Sequence, residues 1–308
     1  MKLALVGQLG AGERRAWQDA LAQALPEARW VEAAPGAEVD VALVANPSPG
    51  RLQGLQGLKL IQSLWAGVDR LLADATLPAG VPIARMVDPA MSAAMAETAL
   101  WAVLSLHRGF FDYARQQREA VWRQLPQRRA DEVRVAVLGL GEMGATAARR
   151  LVSQGYRVAG WSARPREVPD VECLHGDAAL PVLLARSDVV VNLLPLTAAT
   201  RGLFDAQRLA LLPEGASLVN LARGGHVVEA DLLAALDSGH LRHAVLDVFQ
   251  AEPLPSENPF WRHPRVTLLP HAAALTDARS AAAVAAANVR AVLAGDTPAH
   301  RVEIRRGY

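Results

Sequence analysis

Gly139-Leu140-Gly141-Glu142-Met143-Gly144 follows an apolar run, VRVAVL, and leads into ATAARRLVSQG, a stretch of helical character. Glycines at this spacing act through the backbone. The first permits a tight turn, the second lets the chain approach a pyrophosphate, and the third lets the helix pack closely on the strand. The unpaired N–H groups at the helix start attract phosphate charge. Strand, helix and a following strand are all in place, so the segment predicts a dinucleotide site. Another glycine run, Gly7-Gln8-Leu9-Gly10-Ala11-Gly12, has a different spacing and nothing downstream to support it. A tight strand-to-helix turn is its better explanation.

The end of the next strand selects the dinucleotide. It reads Trp161-Ser162-Ala163-Arg164-Pro165-Arg166. No acid stands where an NAD site would hold the ribose 2′-hydroxyl. Arg164 and Arg166 offer guanidinium groups, which bind a 2′-phosphate in paired bonds, with Ser162 and Ala163 in the same loop. The expectation is NADP(H), with NAD(H) as the alternative.

Three later segments turn nucleotide binding into hydride transfer. They are Asn220-Leu221-Ala222-Arg223-Gly224-Gly225, Leu246-Asp247-Val248-Phe249-Gln250-Ala251-Glu252-Pro253 and Pro270-His271-Ala272-Ala273-Ala274. Each comes just after a predicted strand, where open α/β sheets bind ligands. Reduction of a 2-keto acid needs a planar cation for the carboxylate, which Arg223 can supply with two parallel donors. It needs a proton for the carbonyl oxygen, and His271 suits this because its reference pKa of about 6.5 lies near working pH. Glu252 beside that imidazole would favour its charged form.

This order and wording resembles the D-isomer-specific 2-hydroxyacid dehydrogenase family over nearly the whole chain. Leu64-Trp65-Ala66-Gly67-Val68-Asp69 and LPLTAATRGLF (194–204) belong to the resemblance. Within the family the chain is most similar to the glyoxylate/hydroxypyruvate reductase A branch, through NLARGGHVVEADLLAALDSGHL, DVFQAEPLPSENPFWRHPRV and the terminal Arg-Gly-Tyr. The resemblance implies the same three roles for Arg223, Glu252 and His271. It adds backbone amides of Trp65, Ala66 and Gly67 at the substrate carboxylate, with Arg223 and His271 also touching substrate. It places Leu194, Pro195, Leu221, Ala222, Arg223, Asp247, His271 and Ala273 along the cofactor, Asp247 toward the nicotinamide. It implies reduction of glyoxylate to glycolate or of hydroxypyruvate to D-glycerate. The alternatives are another D-2-hydroxy acid (D-lactate, phosphoglycerate or a bulkier acid) and a non-catalytic nicotinamide sensor. The bulky Trp65 either narrows the pocket toward two- or three-carbon acids or packs between domains. Trp122 and Trp261 lie in stretches that resemble the reductase branch, and one of them could reach a partner subunit's site.

The elements around these residues set the architecture. The chain has 308 residues, about two domains at roughly 150 residues each. Apolar runs at 3–7, 39–45 and 58–64 read as buried strands, with a helix at 13–25. A cofactor domain opens at 133–144, and its further strands fall at 156–161, 188–195, 216–222, 243–249 and 265–270. The expected fold is α/β: two Rossmann-like or flavodoxin-like domains with parallel sheets and the active site in the interdomain cleft. Residues 1–95 plus 276–308 form the substrate domain, and 96–275 the NADP-binding domain. Connections near 92–97 and 272–276 are the expected hinges. The stretch 91–122 reads as one long helix whose Met95, Leu100, Trp101, Leu104 and Phe111 share a face. It pairs with a second subunit in a homodimer, or serves as an interdomain core helix. A last helix is expected at 277–294, and the charged tail HRVEIRRGY at the surface.

Composition limits the partners. The 32 basic and 31 acidic residues give a net charge of +1, which argues against nucleic acid or a membrane surface as partner. The one cysteine, Cys173, in a loop-like stretch, excludes an internal disulfide and a thiolate zinc site and fits a reducing cytoplasm. His240 and His243 lack an acidic or cysteine partner at metal-ligand spacing, so no metal is expected. The start MKLALVGQLGAGERR reads as a first strand rather than a signal peptide. No uninterrupted apolar stretch reaches the ~20 residues of a membrane span.

Overall fold

The computed structural model describes all residues, 1–308, in two units: Met1–Met91 with Thr276–Tyr308, and Ser92–Leu275. The first unit begins with β1 (Lys2–Gly7), α1 (Ala11–Ala24), β2 (Arg29–Trp30), β3 (Val41–Ala45), β4 (Leu60–Ser63), α2 (Asp69–Leu72) and β5 (Ile83–Ala84). These five strands pair in parallel in the order β2-β1-β3-β4-β5. That is the flavodoxin-like arrangement. All five residues of β3 are buried, as expected of a parallel strand covered on both faces.

The change of unit falls inside α3 (Pro89–Arg108), which is followed by α4 (Phe110–Arg118). The second unit continues with β6 (Arg134–Leu138), α5 (Glu142–Ser153), β7 (Arg157–Ser162), β8 (Glu172–His175), α6 (Ala179–Leu184), β9 (Val189–Asn192) and α7 (Ala206–Leu209). Then come β10 (Ala216–Asn220), α8 (Glu229–Asp237), β11 (Leu241–Leu246) and β12 (Val266–Leu268). Its seven parallel strands run β12-β11-β10-β9-β6-β7-β8. Counted from β6, this is the 3-2-1-4-5-6 order of the Rossmann fold with one strand added. The chain then re-enters the first unit through α9 (Ala278–Leu293), whose Ala278, Ala281, Ala282, Ala285 and Ala286 pack with Trp17 and Leu21 of α1 in one core.

The structure corrects or refines several expectations. The helix expected over 91–122 is two helices, because Gly109 takes a left-handed conformation (φ 69°) and no helix continues beyond Arg118. Of the expected face, Met95 is buried and Leu100 and Phe111 pack partly buried on the same core, but Trp101 and Leu104 are 40% and 38% exposed. Ala96, Ala99, Ala102, Val103 and Leu106 complete the buried stripe, and their small side chains let α3 lie close to the sheet. Next, Cys173 lies in an edge strand, β8, rather than a loop. The charged tail does lie largely at the surface, with Val302 alone buried in the first unit's core and its amide bonded to Ile83 O at 2.7 Å. Finally, α3, at 20 residues with a hydropathy of 1.2, is long and apolar enough by length and composition to cross a membrane. Its alanines raise the mean hydropathy, but Ser92, Glu97, Thr98 and Ser105 interrupt the apolar run, and half of it is buried inside the molecule.

Candidate functional site

The glycine loop joins β6 to α5 along the carboxyl edge of the larger sheet. Gly139 has φ 99°, and a Cβ there would stand 2.7 Å from Leu193 O. A Cβ on Gly144 would lie 1.7 Å from Gly139 O, so only glycine lets α5 approach the strand this closely. Gly141 precedes the helix in extended conformation, and a Cβ there would meet no protein atom within 4 Å. The Leu140 side chain turns inward onto Gly160, so this residue offers only its backbone to the loop's outer face. Glu142 is exposed in the first turn of α5, and Met143 is partly buried. The cradle fits a pyrophosphate.

At the end of β7 the Ser162 hydroxyl donates to Arg164 O at 2.7 Å, closing the turn. Ala163, Arg164 and Arg166 are exposed, and neither guanidinium forms an ion pair or a side-chain hydrogen bond. Two cations without protein partners and no acid at the strand end suit a 2′-phosphate.

Strands β9 and β10 end in a buried amide pair, with Asn192 Nδ2 donating to Asn220 Oδ1 at 2.9 Å. Leu194, Leu221 and Ala222 are buried behind these ends, and Pro195 is half-buried. Arg223 follows β10, and its Nη1 donates to Ala222 O at 2.7 Å. A Cβ on Gly224 would stand 1.9 Å from the Phe249 carbonyl carbon. That glycine therefore seats the Arg223 segment directly on the loop after β11.

The same loop carries Asp247 and Glu252. Asp247 is 2% exposed, and its carboxylate accepts the amides of Ala272 (2.7 Å) and Ala273 (3.1 Å). Burial pushes this carboxyl up from its ordinary value, although both amide bonds pull it down. The His271 amide bonds Asp247 O at 2.8 Å, and His271 itself is left-handed at φ 55°. Glu252 Oε1 accepts the Phe249 amide at 3.0 Å, and Oε2 lies 2.8 Å from His271 Nδ1. The imidazole is about half exposed, and its Nε2 makes no bond to the protein. Arg223, Glu252 and His271 thus stand at the carboxyl ends of neighbouring strands.

Trp65, Ala66 and Gly67 lie in the first unit, after β4. The Trp65 ring packs edge-on to Trp17 at 6.3 Å, within that unit. Its amide is already bonded to Ser63 Oγ (3.1 Å), whereas the Ala66 and Gly67 amides make no bond within the chain. His240 and His243 point to different partners, Leu209 O and Thr267 Oγ1, and no group of three metal-ligating side chains is present. Sequence reasoning missed His226, which is wholly buried between the two loops that carry Pro195 and Arg223. Its place six residues after Asn220, outside any strand, was the only signal.

Comparison with known proteins shows the family. Residues 100–273 match the D-isomer specific 2-hydroxyacid dehydrogenase, NAD binding domain, and the chain belongs to that family. It is 42% identical, over 95% of its length and 96% of the relative's, to a glyoxylate/hydroxypyruvate reductase A from Serratia proteamaculans. A D-isomer specific 2-hydroxyacid dehydrogenase from Xanthobacter autotrophicus Py2, solved with NADPH and MES, superposes with a TM-score of 0.94 at 44% identity, covering 99% of both chains. An NADPH-dependent glyoxylate/hydroxypyruvate reductase from Sinorhizobium meliloti, solved with NADP and sulfate, gives 0.92 at 34% identity, covering 100% and 99%.

Proposed function

We propose that the chain reduces small 2-keto acids with NADPH, converting glyoxylate to glycolate and hydroxypyruvate to D-glycerate. The observation that carries this reading is the His271–Glu252 pair at 2.8 Å, on the sheet edge that also bears Arg223 and the glycine loop. The kinship with reductases of those two acids supports the substrate class, and the D configuration is that of the D-isomer specific family.

NADPH, when bound, supplies the hydride that reaches the carbonyl carbon. The amides of 139–144 and the start of α5 would hold its pyrophosphate, and Arg164 and Arg166 its 2′-phosphate. Leu194, Pro195, Leu221, Ala222, Asp247 and Ala273 would line the rest of its course. Arg223 pairs with the substrate carboxylate and fixes the carbonyl's orientation. His271 Nε2 donates its proton to the carbonyl oxygen as negative charge develops there. Glu252 can only accept at Nδ1, so it keeps a hydrogen on that nitrogen and leaves Nε2 to exchange the proton. The products are the 2-hydroxy acid and NADP+, and His271 regains its proton from solvent.

The test is loss of NADPH absorbance, and separately of NADH, with glyoxylate, hydroxypyruvate, pyruvate and a branched keto acid. Fast NADPH consumption with the two small acids is expected. Silence with every acid, in folded protein, would overturn the reading and favour a nicotinamide sensor.

We also infer a homodimer. Trp101, Leu104 and Phe110 expose large apolar surface on α3 and α4, 40%, 38% and 49% respectively. Light scattering should give twice the 32.9 kDa chain mass, and a monomer at micromolar concentration would refute this.

A further inference from the structure

His226 is 0% exposed although it carries a polar ring. It closes the short 3₁₀ turn Gly224–His226 that follows Arg223. Its Nδ1 lies 3.0 Å from Arg223 O, and its Nε2 lies 3.3 Å from Pro195 O. Both partners are carbonyl oxygens, so a ring nitrogen bonds only when it carries hydrogen: a neutral ring holds one of the two carbonyls at a time, and the imidazolium holds both.

The two carbonyls are gripped from other sides as well. Arg223 O also accepts Asn220 Nδ2 at 3.0 Å, and Asn220 is bonded in turn to Asn192. Pro195 O also accepts Thr200 Oγ1 at 2.7 Å. A continuous buried chain therefore runs Asn192–Asn220–Arg223 O–His226–Pro195 O–Thr200. It joins the loop after β9 to the loop after β10, which are also held further along by the Gly202 amide on Gly225 O and the Phe204 amide on His226 O.

We propose that His226 is a positioning residue that locks these two loops in one register. One loop carries the guanidinium that holds the substrate carboxylate, and the other lines the cofactor. This rests on the function proposed above for Arg223 and Pro195. His226 touches neither ligand. It acts by denying both loops the small independent movements that would separate carboxylate clamp from cofactor, and misplacements of about 1 Å are costly in such sites. Buried polar groups of this kind are satisfied only in one arrangement, which is what makes the link specific.

The test compares His226→Leu, His226→Gln and Thr200→Val with the unaltered chain. His226→Leu removes every ring N–H at similar volume. It should raise the KM for glyoxylate and the NADPH dissociation constant, read by fluorescence without turnover, each by about tenfold. Its kcat should fall less than its KM rises. His226→Gln, which keeps an amide donor, should recover one of the two losses. Thr200→Val touches only the Pro195 side and should weaken NADPH while leaving the keto-acid KM within twofold. Hydrogen exchange in the ligand-free chain provides a readout independent of the assigned reaction. Amides of 193–197 and 221–225 should exchange faster together in His226→Leu, even if no keto acid is turned over. Unchanged exchange in both segments, or a uniform loss of kcat with KM and NADPH affinity intact, would overturn the proposal. If His226→Leu does not fold, the Gln and Thr200 variants decide it, and no change in either would reject the link.

Discussion

His271 Nδ1 lies 2.8 Å from Glu252 Oε2, and the other oxygen of that carboxylate accepts the Phe249 amide at 3.0 Å. Glu252 is therefore fixed at both ends before any substrate arrives. The backbone of His271 is held too, through its amide on Asp247 O and through the Asp247 carboxylate on the next two amides. Those bonds hold a left-handed histidine in place, a conformation that costs on the order of 1 kcal/mol or more without support. The ring is preorganised to deliver a proton from Nε2.

His271→Ala should lower kcat by about 10²–10⁴ while the NADPH dissociation constant stays within twofold. Glu252→Gln should be milder, about ten- to a hundredfold in kcat. A glutamine has one accepting oxygen, so it can serve Phe249 or His271 but not both. Steady-state kinetics and fluorescence titration read the two quantities separately. Unaltered turnover in His271→Ala would remove it from the proton-donor role.

Arg164 is exposed and has no ion-pair partner in the protein, so its substitution disturbs little else. Arg164→Ala should raise the KM for NADPH about tenfold and leave that for NADH nearly unchanged, because only NADPH carries the 2′-phosphate. The effect should shrink as salt is raised, since the site is open to solvent. Equal changes for both cofactors would exclude Arg164 from phosphate recognition.

How far the sequence reveals this site depends on the interaction involved. The Gly139–Gly144 cradle was legible because close backbone approach demands glycine at fixed spacing, and the geometry repeats that demand at Gly144. Arg223, Glu252 and His271 were legible because each follows an apolar strand run. The break at Gly109 was not, because α3 and α4 are both helical in character and one glycine reads as a tolerated interruption. Nor was the burial pattern of α3, where alanines face the core and Trp101 faces out, reversing the usual weight given to large residues. His226 was hidden for a different reason. Its partners are backbone carbonyls of Pro195 and Arg223, and carbonyls carry no residue-type signature.

His243 makes an acid-side stability prediction. It is buried, stacked on Phe111 at 4.6 Å and bonded to Thr267, and burial pushes its imidazole from 6.5 down to about 4. Above pH 6.5 the ring is neutral in folded and unfolded chains alike, so it adds no pH dependence there. As the pH falls from 6.5 toward 4, the unfolded chain gains a proton that the folded chain refuses, and stability drops. The full loss is about 3 kcal/mol, from roughly 1.4 kcal/mol per unit. His243→Gln does not titrate and should flatten this slope. Urea unfolding at pH 7 and pH 4.5 measures the difference, and identical slopes in both proteins would contradict the assignment.

Gly144→Ala tests whether the cradle's shape, rather than its charge, binds the cofactor. The added Cβ would sit 1.7 Å from Gly139 O and 2.8 Å from the Gly139 carbonyl carbon, both rigid backbone atoms. No side chain can swing away to make room, so α5 must move off β6. Overpacking of this kind costs about 1–3 kcal/mol, or a fall in Tm of several degrees. The same movement carries the first amides of α5 away from the pyrophosphate, so NADPH affinity should fall at least tenfold in protein that is still folded at 25 °C. Gly141→Ala is the informative partner. Its Cβ meets no protein atom, so the ligand-free Tm should stay within about a degree, while NADPH binding weakens because the methyl group stands on the cradle's open side. A Gly141→Ala chain with unaltered affinity for NADPH would show that the pyrophosphate does not approach the backbone at Gly141.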